Sequence, residues 1–453
     1  VSSTPDDSPR LRSVTREIDA IDDVLELADA ADPIVWSRRG DILVGMGGAA
    51  ATFRGSRSPE EAAKWWRQVA DTAEVDDPVR LPGTGLVAFG ALPFDRRSAS
   101  DAVLTVPRLI VGRRGARTWL TRISAHAGDT TTDTATDTAT ATDTDTAPTP
   151  PQPKPYGPHW SATLGPGALT PDGYQEAVRA GLDAIATGDV AKVVLARDLA
   201  GTVPAGADLR RLVRALASSY PDTWTYAIDG LIGASPETLV TVSGGTVTAR
   251  VLAGTAARGA DADADTAASV ALATSTKDLD EHQFAVQSVL SALRPHTTAL
   301  VSEEQPFMLK LPNVWHLATD VEGALAGRAS ALDLVSALHP TAAVAGTPTS
   351  AAIDIIARLE PFDRGRYAGP VGWIDAHGDG EWAIALRCAQ FHLAAQTDLA
   401  AQSDLAAQSD LAPAPSTIPL TAYAGAGIVA GSDPEAEMLE TRVKFRPIVD
   451  ALA

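Results

Sequence analysis

A single cysteine, Cys388, stands in a chain of 453 residues. No intrachain disulfide framework is possible, and a reducing compartment fits; Cys388 itself reads as a small buried apolar residue. No apolar run approaches the ~20 residues that a membrane-spanning helix needs. The opening residues 1–10 are polar and charged, without the apolar core of a secretory signal, so a cytoplasmic protein is expected. Basic charge is in deficit: 37 Lys and Arg against 57 Asp and Glu leave a formal charge of -20. Such a chain is repelled by nucleic-acid backbones and anionic membrane surfaces, and neither is an expected partner. What is present is ample apolar material. With 45% hydrophobic residues over this length, the chain exceeds one simple layer pair, and two subdomains are expected.

Two segments break the pattern. Residues 128–155 repeat Thr, Asp, Ala and Pro, a composition that buries too little apolar area to offset its ordering entropy. They read as a disordered linker between an amino-terminal portion, 1–127, and a catalytic portion, 156–453. Residues 394–411 carry three near-identical hexads ending in Pro413 and Pro415. Lying between two strand-like runs, 382–393 and 418–423, the stretch 394–415 reads as an elongated hairpin loop, since extra loop length costs little free energy.

Elsewhere strands and helices mix without a regular βαβ repeat. Residues 190–199 form a β-branched run, and 86–92, 230–242, 245–252 and 367–374 also read as strands. Apolar spacing predicts helices over 172–187, 278–293 and 434–452, the last opening at Ser432-Asp433-Pro434 with cap acceptors and a first-turn proline.

Two carboxylate pairs stand out, Asp278 with Glu281 and Glu437 with Glu440, each three residues apart on one helix face. Either pair alone reads first as a solvated acidic face, and nearby Glu435 favours that. Should the two helices face each other, hard oxygen ligands suit Mg²⁺, which takes few protein carboxylates. Lys192 lies in an apolar strand, either as an edge residue that blocks aggregation or as a buried general base. Glu237, after Pro236 at a strand end, is a surface turn or a general acid. Arg387 is a guanidinium within an apolar strand and needs a carboxylate, internal or on a ligand. Gly425-Ala426-Gly427 and Gly254-Thr255 supply small residues that let backbone N–H groups approach an anion, or that mark turns. His316 reads as a satisfied core histidine.

In order along the chain, Lys192-Val193-Val194-Leu195-Ala196-Arg197, Ser235-Pro236-Glu237, Leu252-Ala253-Gly254-Thr255, Lys277-Asp278-Leu279-Asp280-Glu281-His282, Tyr367-Ala368-Gly369, Gly425-Ala426-Gly427-Ile428 and Ser432-Asp433-Pro434-Glu435 resemble the chorismate-utilising enzymes: anthranilate synthase component I, aminodeoxychorismate synthase, salicylate synthase and isochorismate synthase. The resemblance covers roughly residues 160–452, and Ala88 to Asp95 is similar to the isochorismate-forming members. It implies an α+β fold of two related, antiparallel-rich subdomains with flanking helices around a cleft. It further implies chorismate as substrate and magnesium held by Glu281 and Glu440, with Asp278 and Glu437 on the ion's waters. Lys192 would activate water at ring C2, and Glu237 would protonate the hydroxyl leaving C4. Tyr367 and Arg387 would grip the enolpyruvyl carboxylate, with Thr255 and His316 at the ring.

The segment His339-Pro340-Thr341-Ala342-Ala343-Val344-Ala345-Gly346 separates the branches. Ammonia-using relatives carry threonine where Ala343 stands, so the resemblance points to the water-using isochorismate branch, whose product serves menaquinone or siderophore synthesis. No glutaminase-like segment with a nucleophilic cysteine is present, so no glutaminase partner is expected, and a monomer is. Two alternatives remain at this level: a salicylate synthase, which eliminates pyruvate from isochorismate in the same pocket, and a catalytically silent binding paralogue.

Overall fold

The computed structural model describes residues 10–55, 57–125, 151–312, 314–327, 329–393 and 416–453. The hairpin-loop segment 394–415 and most of the 128–155 linker lie outside the described residues. Where description resumes, the chain is fastened at once: Lys154 N–H donates to the Glu26 carbonyl at 3.1 Å, and Arg210 donates to the carbonyls of Lys154 and Pro155.

Antiparallel pairing dominates, with one short parallel ladder among the described residues, between Leu11–Ile18 and Glu74–Asp76. The strand Val103–Arg114 pairs with both Asp41–Arg54 and Val87–Ala91, and there the sheet divides into two arms. The first arm continues through Ile34–Arg38, Trp224–Ile228, Leu231–Ser235, Cys388–Phe391 and Thr417–Val429 to Lys192–Pro204. The second continues through Pro370–Asp375, Gly380–Ile384, Thr238–Ser243 and Thr246–Ala257 to Val314–Leu325. Strands from before residue 127 are therefore built into the same sheet as the catalytic portion. One apolar core takes side chains from both arms, among them Leu195, Tyr226, Phe89, Trp373 and Val251. A second packs the first arm against the helices Arg210–Ser219 and Pro434–Leu452 through Ile232, Leu216, Phe445 and Leu452. Cys388 is buried and free, as expected.

Three expected strands are shorter than the apolar pattern implies, and the breaks have local causes. The run 230–242 divides into Leu231–Ser235 and Thr238–Ser243 at Pro236-Glu237, because proline has no N–H to give a ladder. The run 382–393 divides at Ala385-Leu386-Arg387, where Arg387 adopts φ 51°. Arg387 is thus in the break and not within a strand. The run 367–374 begins pairing only at Pro370, after Ala368 at φ 61°. At the first two breaks the chain crosses from one arm to the other.

The Lys192 strand runs Lys192–Pro204 and is flanked by Thr417–Val429 on one side and Gly346–Thr347 on the other. This removes the edge-strand reading of Lys192. The helices Pro171–Ala186, Thr276–Leu293 and Pro434–Leu452 form where apolar spacing places them. Ser275 and Asp433 cap the last two, accepting from the backbone N–H of Asp278 at 3.3 Å and of Ala436 at 2.8 Å. Among the described residues no helix is long and apolar enough to cross a membrane. Replacing the cap, Asp433→Ala, leaves a first-turn N–H without its acceptor; a loss of about 1 kcal/mol is expected in denaturant unfolding.

Candidate functional site

Both arms and the helices Thr276–Leu293 and Pro434–Leu452 open on one cleft of ≈ 260 Å³. Glu237, Gly254, Thr255, Asp278, Glu281, His316, Ala343, Tyr367, Arg387, Gly425, Gly427, Glu437 and Glu440 all line it. Two expected site residues do not. Ala426 alternates to the other face of its strand and is buried there. Lys192 stands immediately behind the lining, fully buried.

The Lys192 amine lies 3.1 Å from Glu281 Oε1 but at an angle that makes no hydrogen bond, so its N–H donors have no hydrogen-bond partner among the described residues. Gly427 is what lets this pair sit against the strand. A β-carbon there would run into the Glu281 carboxylate and come within 3.0 Å of Lys192 Cε. The neighbouring glycine serves differently. Val194 and Ala196 turn their N–H and C=O groups away from the strand Thr417–Val429. In an antiparallel ladder their partners Gly427 and Gly425 must therefore turn theirs outward as well. The Gly425 carbonyl takes the Lys444 ammonium at 2.9 Å.

Glu237 sits at the first arm crossing, not in a surface turn: it is only 6% exposed. Burial pushes its carboxyl up to about 8, against the opposing pull of Lys192, Arg387 and Lys444. It therefore holds a proton at neutral pH. His316 is buried in the same lining, with Nδ1 3.0 Å from Thr255 Oγ1 and Nε2 without a partner among the described residues. Burial, with Arg387 and Lys444 nearby, keeps this imidazole neutral, well below its usual range. Arg387 occupies the second arm crossing, buried, and no carboxylate of the described residues forms an ion pair with it. Tyr367 lies alongside, stacked on Tyr423 at 5.1 Å and 16°. A cationic fork facing a cleft without an internal partner is suited to a carboxylate brought by a ligand.

The two carboxylate pairs do converge. Lys277 bridges the two helices by reaching Glu437 at 3.0 Å, and Glu440 adds to the field that, after burial, holds Asp278 above its ordinary range. Burial and then Glu440 likewise raise Glu437. Glu435 and Asp280 remain exposed, so the solvated-face reading holds for them and fails for the paired residues. Lysines compensate these acids: Lys192 beside Glu281, Lys277 on Glu437, and Lys444 on Glu440 at 2.5 Å. Among the described residues no three Asp, Glu, His or Cys side chains gather closely enough to clasp an ion unaided. A donor set of few carboxylates and room for water fits a hard cation such as Mg²⁺.

Lys277, quoted in the sequence only as part of its motif, and Arg364 and Lys444, not singled out at all, also line the cleft. A signal existed for Lys444, four residues after Glu440, the spacing of a helical ion pair. For Arg364 there was none.

The sequence matches the family model described as chorismate binding enzyme over residues 2–410 and 416–453. Isochorismate synthase DhbC of Bacillus subtilis is 38% identical over 294 residues, 62% of this chain and 68% of that protein. Isochorismate synthase EntC of Escherichia coli K12 is 36% identical over 270 residues, 58% of this chain and 63% of that protein. In three dimensions the chain resembles MenF, the menaquinone-specific isochorismate synthase of E. coli, with a TM-score of 0.72 and 23% identity over 98% of this chain and 95% of that one. The α+β fold is of the anthranilate synthase component I type. With a family match spanning both arms and a cleft assembled from its motifs, the chain belongs to the chorismate-binding enzyme family.

Proposed function

We propose that this enzyme converts chorismate to isochorismate, adding water at ring C2 and releasing the hydroxyl at C4. The observation that carries the reading is a buried lysine and a protonated acid at one cleft: Lys192, just behind the lining beside Glu281 and without a hydrogen-bond partner among the described residues, and the Glu237 carboxyl raised to about 8. Water is a poor nucleophile and hydroxide a poor leaving group, so one group must take a proton and another must supply one. Lys192 accepts the proton of the attacking water. Glu237 gives its proton to the departing oxygen, which leaves as water. The relatives named isochorismate synthase support this assignment.

Chorismate carries two carboxylates, and the cleft meets them with different groups. Arg387 and Tyr367 hold the enolpyruvyl carboxylate, and the outward N–H groups of Gly425 and Gly427 add fixed dipoles. Glu281 and Glu440 would hold magnesium, with Asp278 and Glu437 on its waters; when bound, the ion supplies positive charge to the ring carboxylate. Thr255 orients neutral His316 at the ring. Ala343 keeps the water path free of the extra hydroxyl and methyl that threonine would bring.

Incubation with chorismate and Mg²⁺, followed by chromatography, should yield isochorismate, and chelation of the metal should stop it. Fluorescent salicylate as the main product would assign the pyruvate-eliminating alternative, and no turnover by folded protein would assign the silent one. Lys192→Ala is expected to lower kcat about 10²- to 10⁴-fold while circular dichroism stays unchanged; near-normal kcat would remove Lys192 from the chemistry. Because Glu237 works protonated, kcat should fall as pH rises through about 8, and a rate flat across that range would exclude it as the acid. Ala343→Thr crowds a close-packed site and should lower kcat/KM for isochorismate about tenfold or more. An unchanged rate would show that Ala343 does not govern which nucleophile enters.

A further inference from the structure

We propose that Glu360 and Arg364 form a positioning pair that holds the Lys192 strand against the turn carrying Ala343, and so sets where the base stands relative to the attacking water. The inference rests on the function proposed above for that water, but its structural core does not.

One edge of Lys192–Pro204 is paired along its whole length with Thr417–Val429. The other edge is not. Among the described residues it meets Gly346–Thr347 only at Lys192 and Val193, and Gly165–Pro166 only at Leu199 and Ala200. The backbone groups between these two short ladders are buried and need partners. Val194 N–H finds the Ala345 carbonyl at 2.8 Å. The next two positions are filled by side chains: Arg364 Nη2 donates to the Val194 carbonyl at 2.8 Å, and Glu360 Oε1 accepts from Ala196 N–H at 2.7 Å. A side-chain ion pair takes the place of a missing strand, two residues from the proposed base.

The pair is also tied to the nucleophile side. Arg364 binds Glu360 through Nε at 2.8 Å and Nη2 at 2.5 Å, and its remaining nitrogen, Nη1, donates to the Val344 carbonyl at 3.0 Å. Val344 follows Ala343 directly. The guanidinium packs on the Phe94 ring at 4.4 Å, and Arg364 and Glu360 are 3% and 6% exposed. Although Arg364 borders the cleft, its three nitrogens all have protein acceptors, so it acts through other residues and not on substrate. A buried ion pair adds little net stability over apolar packing. Its planar fork, which lysine lacks, specifies geometry.

Arg364→Lys keeps the positive charge opposite Glu360 but cannot reach Glu360, Val194 and Val344 together; Glu360→Gln keeps the size and one acceptor oxygen. Each folded variant is to be compared with wild type for kcat, chorismate KM and amide hydrogen exchange over residues 193–197. Arg364→Lys is expected to lower kcat about tenfold or more, as a small misplacement of a catalytic group does. KM should stay within about threefold, and exchange at Val194 and Ala196 should accelerate in both variants. Wild-type kcat with protected amides in Arg364→Lys would overturn the proposal. So would a loss of kcat matched by an equal rise in KM with protected amides, which would make Arg364 a substrate ligand. Wild type making a product other than isochorismate would sink the assigned reaction alone, because the variant-to-wild-type ratio for that product reads the same pair. Wild type making no product would leave the exchange measurement to decide: unchanged amides refute the anchoring.

Discussion

A fully buried lysine amine with no hydrogen-bond partner among the described residues is the constraint on which the cleft depends. Lys192 is fully buried, and leaving such a group without compensation is costly. The surrounding chain supplies compensation that is electrostatic and not bonded. Glu281 comes within 3.1 Å, and it can do so because Gly427 presents no side chain on the facing strand. The glycine, the acid and the lysine are one unit drawn from three distant parts of the sequence. Any change that fills the space at Gly427 separates the other two.

The same logic explains how a chain with a formal charge of -20 can be shaped for a ligand bearing two carboxylates. Whatever the net charge of the chain, the cleft alternates signs at short range. Three lysines stand among the four helix carboxylates, and Arg387 faces them from the arm crossing. Short-range arrangement outweighs net charge because buried groups are screened far less than exposed ones. Burial also divides the roles of like groups. Glu237 makes no close ion pair among the described residues and burial drives it to its protonated form, while Glu440 keeps a lysine at 2.5 Å.

The places where strands stop matter as much as the strands. Pro236-Glu237 and Ala385-Leu386-Arg387 carry the chain from one arm of the sheet to the other, and each crossing delivers an ionisable side chain to the cleft. The Glu360–Arg364 pair performs the complementary task, taking the Val194 carbonyl and the Ala196 N–H on a stretch of strand edge where no neighbouring strand is paired among the described residues. Ordered irregularity of this kind is where the local rules of strand and helix give way to the needs of a site.

Much of this was legible in the residues alone. Apolar spacing and cap chemistry placed the helices Pro171–Ala186, Thr276–Leu293 and Pro434–Leu452 to within a residue or two, because those signals are local. Ordered motifs pointed to the family, since many residues in one order leave little room for chance. The pairing of carboxylates on one helix face also followed from spacing, but whether that face met solvent or another helix did not. Tertiary structure alone decided that Lys192 is central and not at an edge, that Glu237 is buried, that Arg387 lies in a break, and that Arg364 ties strand to turn. Each of these depends on which distant segment lies alongside, and a side chain's burial and partners are properties of that neighbour as much as of the residue itself.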